Sequence, residues 1–120
     1  MGYYSDVAIG MSKEDGERFL IEYEKLTSGI CWLYSSAQIW RYSDCMVISW
    51  QRVKWYQKLP EVQWIHRFIE ELAGIDHMVA YVRVGEAIED CEELYLNDCD
   101  NILWSKFGLN RSIAITPPAS

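Results

Sequence analysis

From Val47 to Leu72 the chain reads VISWQRVKWYQKLPEVQWIHRFIEEL, and its apolar positions change period midway. Before Tyr56 they recur at every second residue. Met46, Ile48 and Trp50 form one face of a strand predicted over Cys45–Tyr56, and Val47, Val53 and Trp55 form the other. The apolar emphasis thus crosses from one face to the other, which calls for a bulge or for burial on both sides at one end. Arg52 and Lys54 fall in register with Trp50, so that face is expected to become solvated toward its end. After Pro60, Val62, Ile65, Phe68, Ile69 and Leu72 mark one stripe of a helix. Pro60 suits its first turn, where no N–H is needed, and Ala73-Gly74 reads as its stop.

Similar patterns place the remaining elements. Tyr3, Val7, Ile9 and Met11 alternate with Tyr4, Asp6, Ala8 and Gly10, which predicts a strand over 3–11. Ser12 and Asp15 then form a variant capping box for a helix from Lys13 to about Leu26. Phe19, Leu20, Tyr23 and Leu26 share one face of it, and Gly16 is expected to weaken it by about 1 kcal/mol. Ile30–Tyr42 is one bent strand or two short ones. Met78–Gly85 is a further strand, with Met78, Ala80, Val82 and Val84 inward. Leu94–Leu96 is a short strand, and Ile102–Trp104 with Gly108–Ile115 forms a last strand or hairpin.

The resulting order is β-α-β-β-α-β with a C-terminal β-rich extension. It predicts an α+β fold of the ferredoxin-like type: an antiparallel sheet with two helices on one face. Residues 1–115 would form a single α+β domain and 116–120 a disordered tail. The other sheet face would be open, with Tyr4, Trp40, Trp50 and Tyr81 as its exposed aromatics and either a partner or a second copy of the chain against it.

Charge adds one strong asymmetry. The formal net charge is −7, and residues 86–100 hold seven acids and no base; the other eleven acids are matched by eleven bases. This local field repels phosphates and attracts basic surfaces, so direct nucleic-acid binding is not expected. The chain has no G-x-x-x-x-G-K-[ST], G-x-G-x-x-G or G-x-S-x-G motif. Neither His66 nor His77 sits in a recognisable catalytic pattern, and Glu89, Asp90, Glu92 and Glu93 lack the spacing of a calcium loop. No catalytic residue, metal or cofactor is therefore assigned. Cys31, Cys45, Cys91 and Cys99 form no C-x-x-C pair and read as free thiols. With no apolar run of membrane-spanning length and no secretory leader pattern, a cytoplasmic setting is expected.

YYSDVAI, VKWYQKLPEVQWIHRFIEEL, and YVRVGEAIEDCEE followed by NRSIAI resemble a family of small phage and prophage proteins, over most of the chain. The resemblance implies a gene product acting in the cytoplasm of a bacterial host. It carries no catalytic residues. The function that follows is a non-enzymatic inhibitor of a host protein, such as a CRISPR effector or another defence component. Glu86, Glu89, Asp90, Glu92 and Glu93 would dock on a basic surface of that protein, with Trp50 and Tyr81 as the apolar centre. Two alternatives stand beside it. One is a small-ligand (nucleotide) sponge or minor enzyme, with a tryptophan-lined pocket at a dimer interface on which Arg52, Arg83 or Arg111 converges. The other is an immunity protein against a toxin nuclease.

Overall fold

The computed structural model describes residues 3–27, 37–87, 89–98, 102, 103, 106–109, 113–115 and 118. Its elements are β1 (Ser5–Met11), α1 (Lys13–Thr27), β2 (Gln38–Arg41), β3 (Met46–Val53), α2 (Pro60–Gly74), β4 (Val79–Gly85), β5 (Cys91–Leu96), β6 (Phe107–Leu109) and β7 (Ile113–Ile115). The fold is α+β. Five antiparallel strands lie in the order β2-β3-β1-β4-β5, and β6 and β7 pair separately as a hairpin. Most of the Ile30–Tyr42 stretch before β2 falls outside the described residues, as do Cys31, Cys99 and, apart from Pro118, the tail.

Both helices cover the same sheet face. Phe19, Leu20 and Tyr23 of α1 and Val62, Ile65, Phe68, Ile69 and Leu72 of α2 pack in one cluster with Val7, Ile9, Met11, Met46, Ile48, Trp50, Val79 and Tyr81. α2 begins at Leu59 without a side-chain cap, so its buried stripe must hold it. Burial of five such residues, at roughly 1.5–3 kcal/mol each, outweighs a missing cap of about 1 kcal/mol. α1 starts as expected, with the Asp15 N–H donating to Ser12 Oγ at 3.2 Å.

Two expectations about the sheet faces are overturned. The face away from the helices is not open: Ala8, Val47 and Ala80 pack with Leu103, Ile113 and Ile115, so the C-terminal segment covers it. Nor do Trp50 and Tyr81 stand on that face. They point into the helical core and are 1% and 5% exposed. The period-two reading of β4 had the correct alternation but the wrong face as inward, because both faces of the central strands are buried and apolar. Val79 and Tyr81 meet the helices, while Met78 and Ala80 meet the C-terminal segment.

The change of face along β3 is a bulge. Ser5 pairs with Val53 but Val7 with Trp50, so Gln51 and Arg52 together face the single residue Asp6. Arg52 has φ 50°, a left-handed conformation unusual for a side-chain-bearing residue, and its N–H donates to Asp6 Oδ1 at 2.8 Å. The extra residue brings Val53 and Trp55 onto the same helical face as Met46, Ile48 and Trp50. Arg52 and Lys54 are thereby turned away from that face, contrary to the simple alternation, and both approach the Tyr4 ring.

Gly16 also has a packing role. A Cβ there would overlap the Cβ and Sδ of Met46, so the glycine lets α1 approach β3 closely. Gly16→Ala, which on helix propensity alone would stabilise by about 1 kcal/mol, is predicted instead to lower stability by about 1–2 kcal/mol through overpacking. Urea unfolding checks this: the midpoint falls. A higher midpoint would mean that Met46 yields freely.

Candidate functional site

The acidic segment is not a solvated loop. It turns back after Gly85 and pairs with β4 as the edge strand β5, placing Glu92 opposite Arg83. Asp90 and Glu92 flank the same guanidinium. Arg83 Nε donates to Glu92 Oε1 at 2.6 Å, Nη2 to Asp90 Oδ1 at 2.6 Å, and Nη1 to Asp90 Oδ2 and Ser5 Oγ at 3.2 Å. Every nitrogen of the guanidinium is engaged, and the Arg83 side chain is only 14% exposed. Such charge-assisted bonds on a partly buried cation are among the stronger polar contacts available to a small domain.

The N-terminal arm is tied into this cluster. The Tyr3 hydroxyl donates to Asp90 Oδ2 at 2.6 Å and accepts from the Ala87 N–H at 2.9 Å, while the Tyr3 N–H donates to the Tyr56 hydroxyl at 2.8 Å. The Tyr4 N–H donates to Glu86 Oε1 at 2.8 Å. Gly85 makes the arrangement possible, since a Cβ there would overlap both the Asp90 carboxylate and the Tyr3 hydroxyl. The Arg83 guanidinium, and then the Tyr3 hydroxyl, hold the Asp90 carboxyl below its ordinary value. The Asp90 bond raises the Tyr3 phenol in turn.

Beside this cluster lies a cleft of about 630 Å³ lined by Tyr3, Trp55, Tyr56, Gln57, Lys58, Tyr81, Arg83, Asp90 and Glu92. Its aromatic wall continues inward. Trp55 meets Trp50 with ring centroids 5.2 Å apart, and His66 stands edge-on to Tyr81 at 5.1 Å and to Trp55 at 6.2 Å. Burial lowers the His66 pKa, which favours the neutral ring, and burial raises the Tyr81 phenol. His66 Nε2 is buried and completes no hydrogen bond among the described residues, while the buried Trp55 indole N–H lies against the Tyr81 hydroxyl.

The seven residues expected to dock on a partner therefore separate. Asp90 and Glu92 are committed to Arg83, and Glu86 holds the Tyr4 backbone. Glu89 and Glu93 are exposed and make no ion pair among the described residues. Trp50 is sealed in the core, and Tyr81 reaches only the cleft wall. Of the arginines named for a tryptophan-lined pocket, Arg83 lines the cleft, Arg52 lies over Tyr4 at 5.3 Å and Arg111 is outside the described residues. That cleft lies within one chain rather than between two. Sequence reasoning did not single out Tyr3, Tyr56 or Lys58. The available signal was the run R-x-G in front of acids, with Asp90 and Glu92 two residues apart on one strand face. Cys45 is buried and Cys91 exposed; both are free, and burial pushes the Cys45 thiol up to about 12. Among the described residues no helix is long and apolar enough to cross a membrane.

The depressed Asp90 pKa links stability to pH. The carboxylate's contribution is fully present above its ordinary value of 3.8 and is lost as the pH falls through the lower folded value. Asp90→Asn is predicted to destabilise the protein at neutral pH and to flatten the acid limb of its stability profile. Thermal unfolding between about pH 2 and 7 checks this; an unchanged limb would place the linkage elsewhere. Comparisons with protein-family models, with curated proteins and with solved structures return no match to this chain.

Proposed function

We propose that this chain is a non-enzymatic binding protein that docks the outer edge of β5 on a basic surface of another protein. The observation that carries the reading is the state of that edge. Among the described strands β5 pairs only with β4, and it carries Leu94, 39% exposed, next to Glu93 and shortly after Glu89, neither of which has an ion-pair partner among the described residues. Open edges invite strand addition, and acidic side chains on such an edge discourage self-pairing while favouring a cationic strand. The opposite edge, β2, lacks this character: Arg41 there pairs with Glu17 at 3.1 Å. The docking set is thus Glu89, Glu93 and Leu94, with Trp50 and Tyr81 replaced as the apolar element.

We further read the fold as ferredoxin-like. The four strands β4-β1-β3-β2 follow the order that a split β-α-β arrangement generates, and β5 is an addition beside β4. The sequence resemblance to small phage and prophage proteins supports a setting in the cytoplasm of a bacterial host, where the partner would be a host protein that the chain inhibits.

The test uses the tagged chain with a photo-crosslinking residue at position 94, and a control with the same residue at the exposed Ile21 of α1. In bacterial lysate, position 94 is predicted to link to one basic protein and position 21 to none. Glu89→Gln/Glu93→Gln should weaken capture by at least about threefold at low salt, less at high salt, and leave the fold intact. Equal capture by the charge-neutral variant, or crosslinking from position 21 alone, contradicts docking through β5.

A further inference from the structure

The outer edge of β5 offers its backbone unevenly, and the pattern defines what can pair with it, on the reading that this edge is where the chain docks. The Gly85 N–H donates to the Asp90 carbonyl at 2.7 Å. Hydrogen-bonded and non-hydrogen-bonded pairs alternate along an antiparallel ladder. Counted on from that pair, Glu92 opposite Arg83 and Leu94 opposite Tyr81 turn their backbone groups toward β4, while Cys91 and Glu93 turn theirs outward. The Cys91 N–H is taken up locally by the Glu89 carbonyl at 3.1 Å. The outward N–H and C=O of Glu93 have no partner among the described residues, and its side chain is exposed.

Side chains narrow the class. Successive residues of a strand face opposite sides of the sheet. Glu93 shares a face with Val82, and Leu94 lies opposite Tyr81 on the helix-bearing face, 39% exposed. A strand added beside β5 therefore sets one side chain opposite Glu93 and the next alongside Leu94 on the other face. Opposite charges directly across a ladder stabilise it, and like charges destabilise it. A second copy of this chain is disfavoured, since each edge carries Glu89 and Glu93 and pairing centred on Glu93 sets the two carboxylates directly opposite. We propose that β5 takes an extended segment of the partner protein as an added antiparallel strand, in which a lysine or arginine opposite Glu93 alternates with an apolar residue beside Leu94.

The probe is an end-blocked heptapeptide of alternating lysine and valine, titrated into the ¹⁵N-labelled full chain. The Glu93 amide signal should move saturably at up to about 1 mM peptide. Its hydrogen exchange should slow by at least about threefold at saturation, while the Glu92 and Leu94 amides, already bonded to β4, change far less. A second peptide has the same sequence with its lysine backbone nitrogens methylated. Its charge is unchanged, but the N–H groups that would face β5 are gone, and it should bind at least about tenfold more weakly. Glu93→Gln, an exposed substitution, should fold normally and weaken binding of the unmodified peptide by about threefold. The inference is overturned if neither peptide binds, if both bind equally, or if the Glu93 amide slows with protein concentration alone, which would seat a second copy on the edge. Equal binding of the two peptides would remove strand addition and leave docking by charge through β5 standing. Failure of that docking shows separately, as crosslinking from position 21 alone.

Discussion

The Arg83 guanidinium is the constraint on which the β4–β5 end of the sheet depends. Alone on β4 it would be a half-buried cation facing a helical core. Between Asp90 and Glu92, at 2.6 Å from each, it becomes the point that folds the acidic segment back onto the sheet. Three consequences follow from one side chain. The segment becomes strand β5, the Asp90 carboxylate is positioned to receive the Tyr3 hydroxyl and tie down the N-terminal arm, and the cleft acquires its polar rim. Removing one partner would strand charge in a poorly solvated place, which is the costly way to break such a cluster.

The cluster also changes what the charge excess means. Seven acids without a base looks, as a list, like one uniform docking field. In the fold, Asp90 and Glu92 are spent internally, Glu86 and Asp98 hold backbone N–H groups and Asp100 lies outside the described residues, so Glu89 and Glu93 are the segment's exposed acids without an ion-pair partner among the described residues. The docking surface proposed for the chain is therefore smaller than the composition suggests and lies along a strand edge, where main-chain hydrogen bonds would contribute affinity and side chains selectivity.

Much of the architecture was legible because period and capping are local properties. The α2 stripe, Pro60 at its start and the Ser12 cap of α1 could be read directly, and the crossing of apolar emphasis between Trp50 and Val53 was the bulge itself. Positions that depend on distant partners were not legible. Trp50 and Tyr81 read as surface aromatics because alternation tells which residues share a face, not which face meets the helices. The covering of the second face depended on Leu103, Ile113 and Ile115, far along the chain. Gly16 looked like a helix defect and Gly85 like the plain end of a strand. Each is small because another side chain, Met46 in one case and Tyr3 with Asp90 in the other, occupies the space of a Cβ.

The division of the carboxylates between an internal cluster and an outward edge is the central claim, and urea unfolding of four single variants at neutral pH tests it most directly. Glu92→Gln and Asp90→Asn should each lower the midpoint, corresponding to about 1–3 kcal/mol for a lost charge-assisted bond. Glu89→Gln and Glu93→Gln should leave it within about 0.5 kcal/mol of wild type or raise it slightly, as surface substitutions that relieve repulsion do. Equal effects in all four, or a larger loss at Glu89 and Glu93, would contradict the division and the role assigned to Arg83.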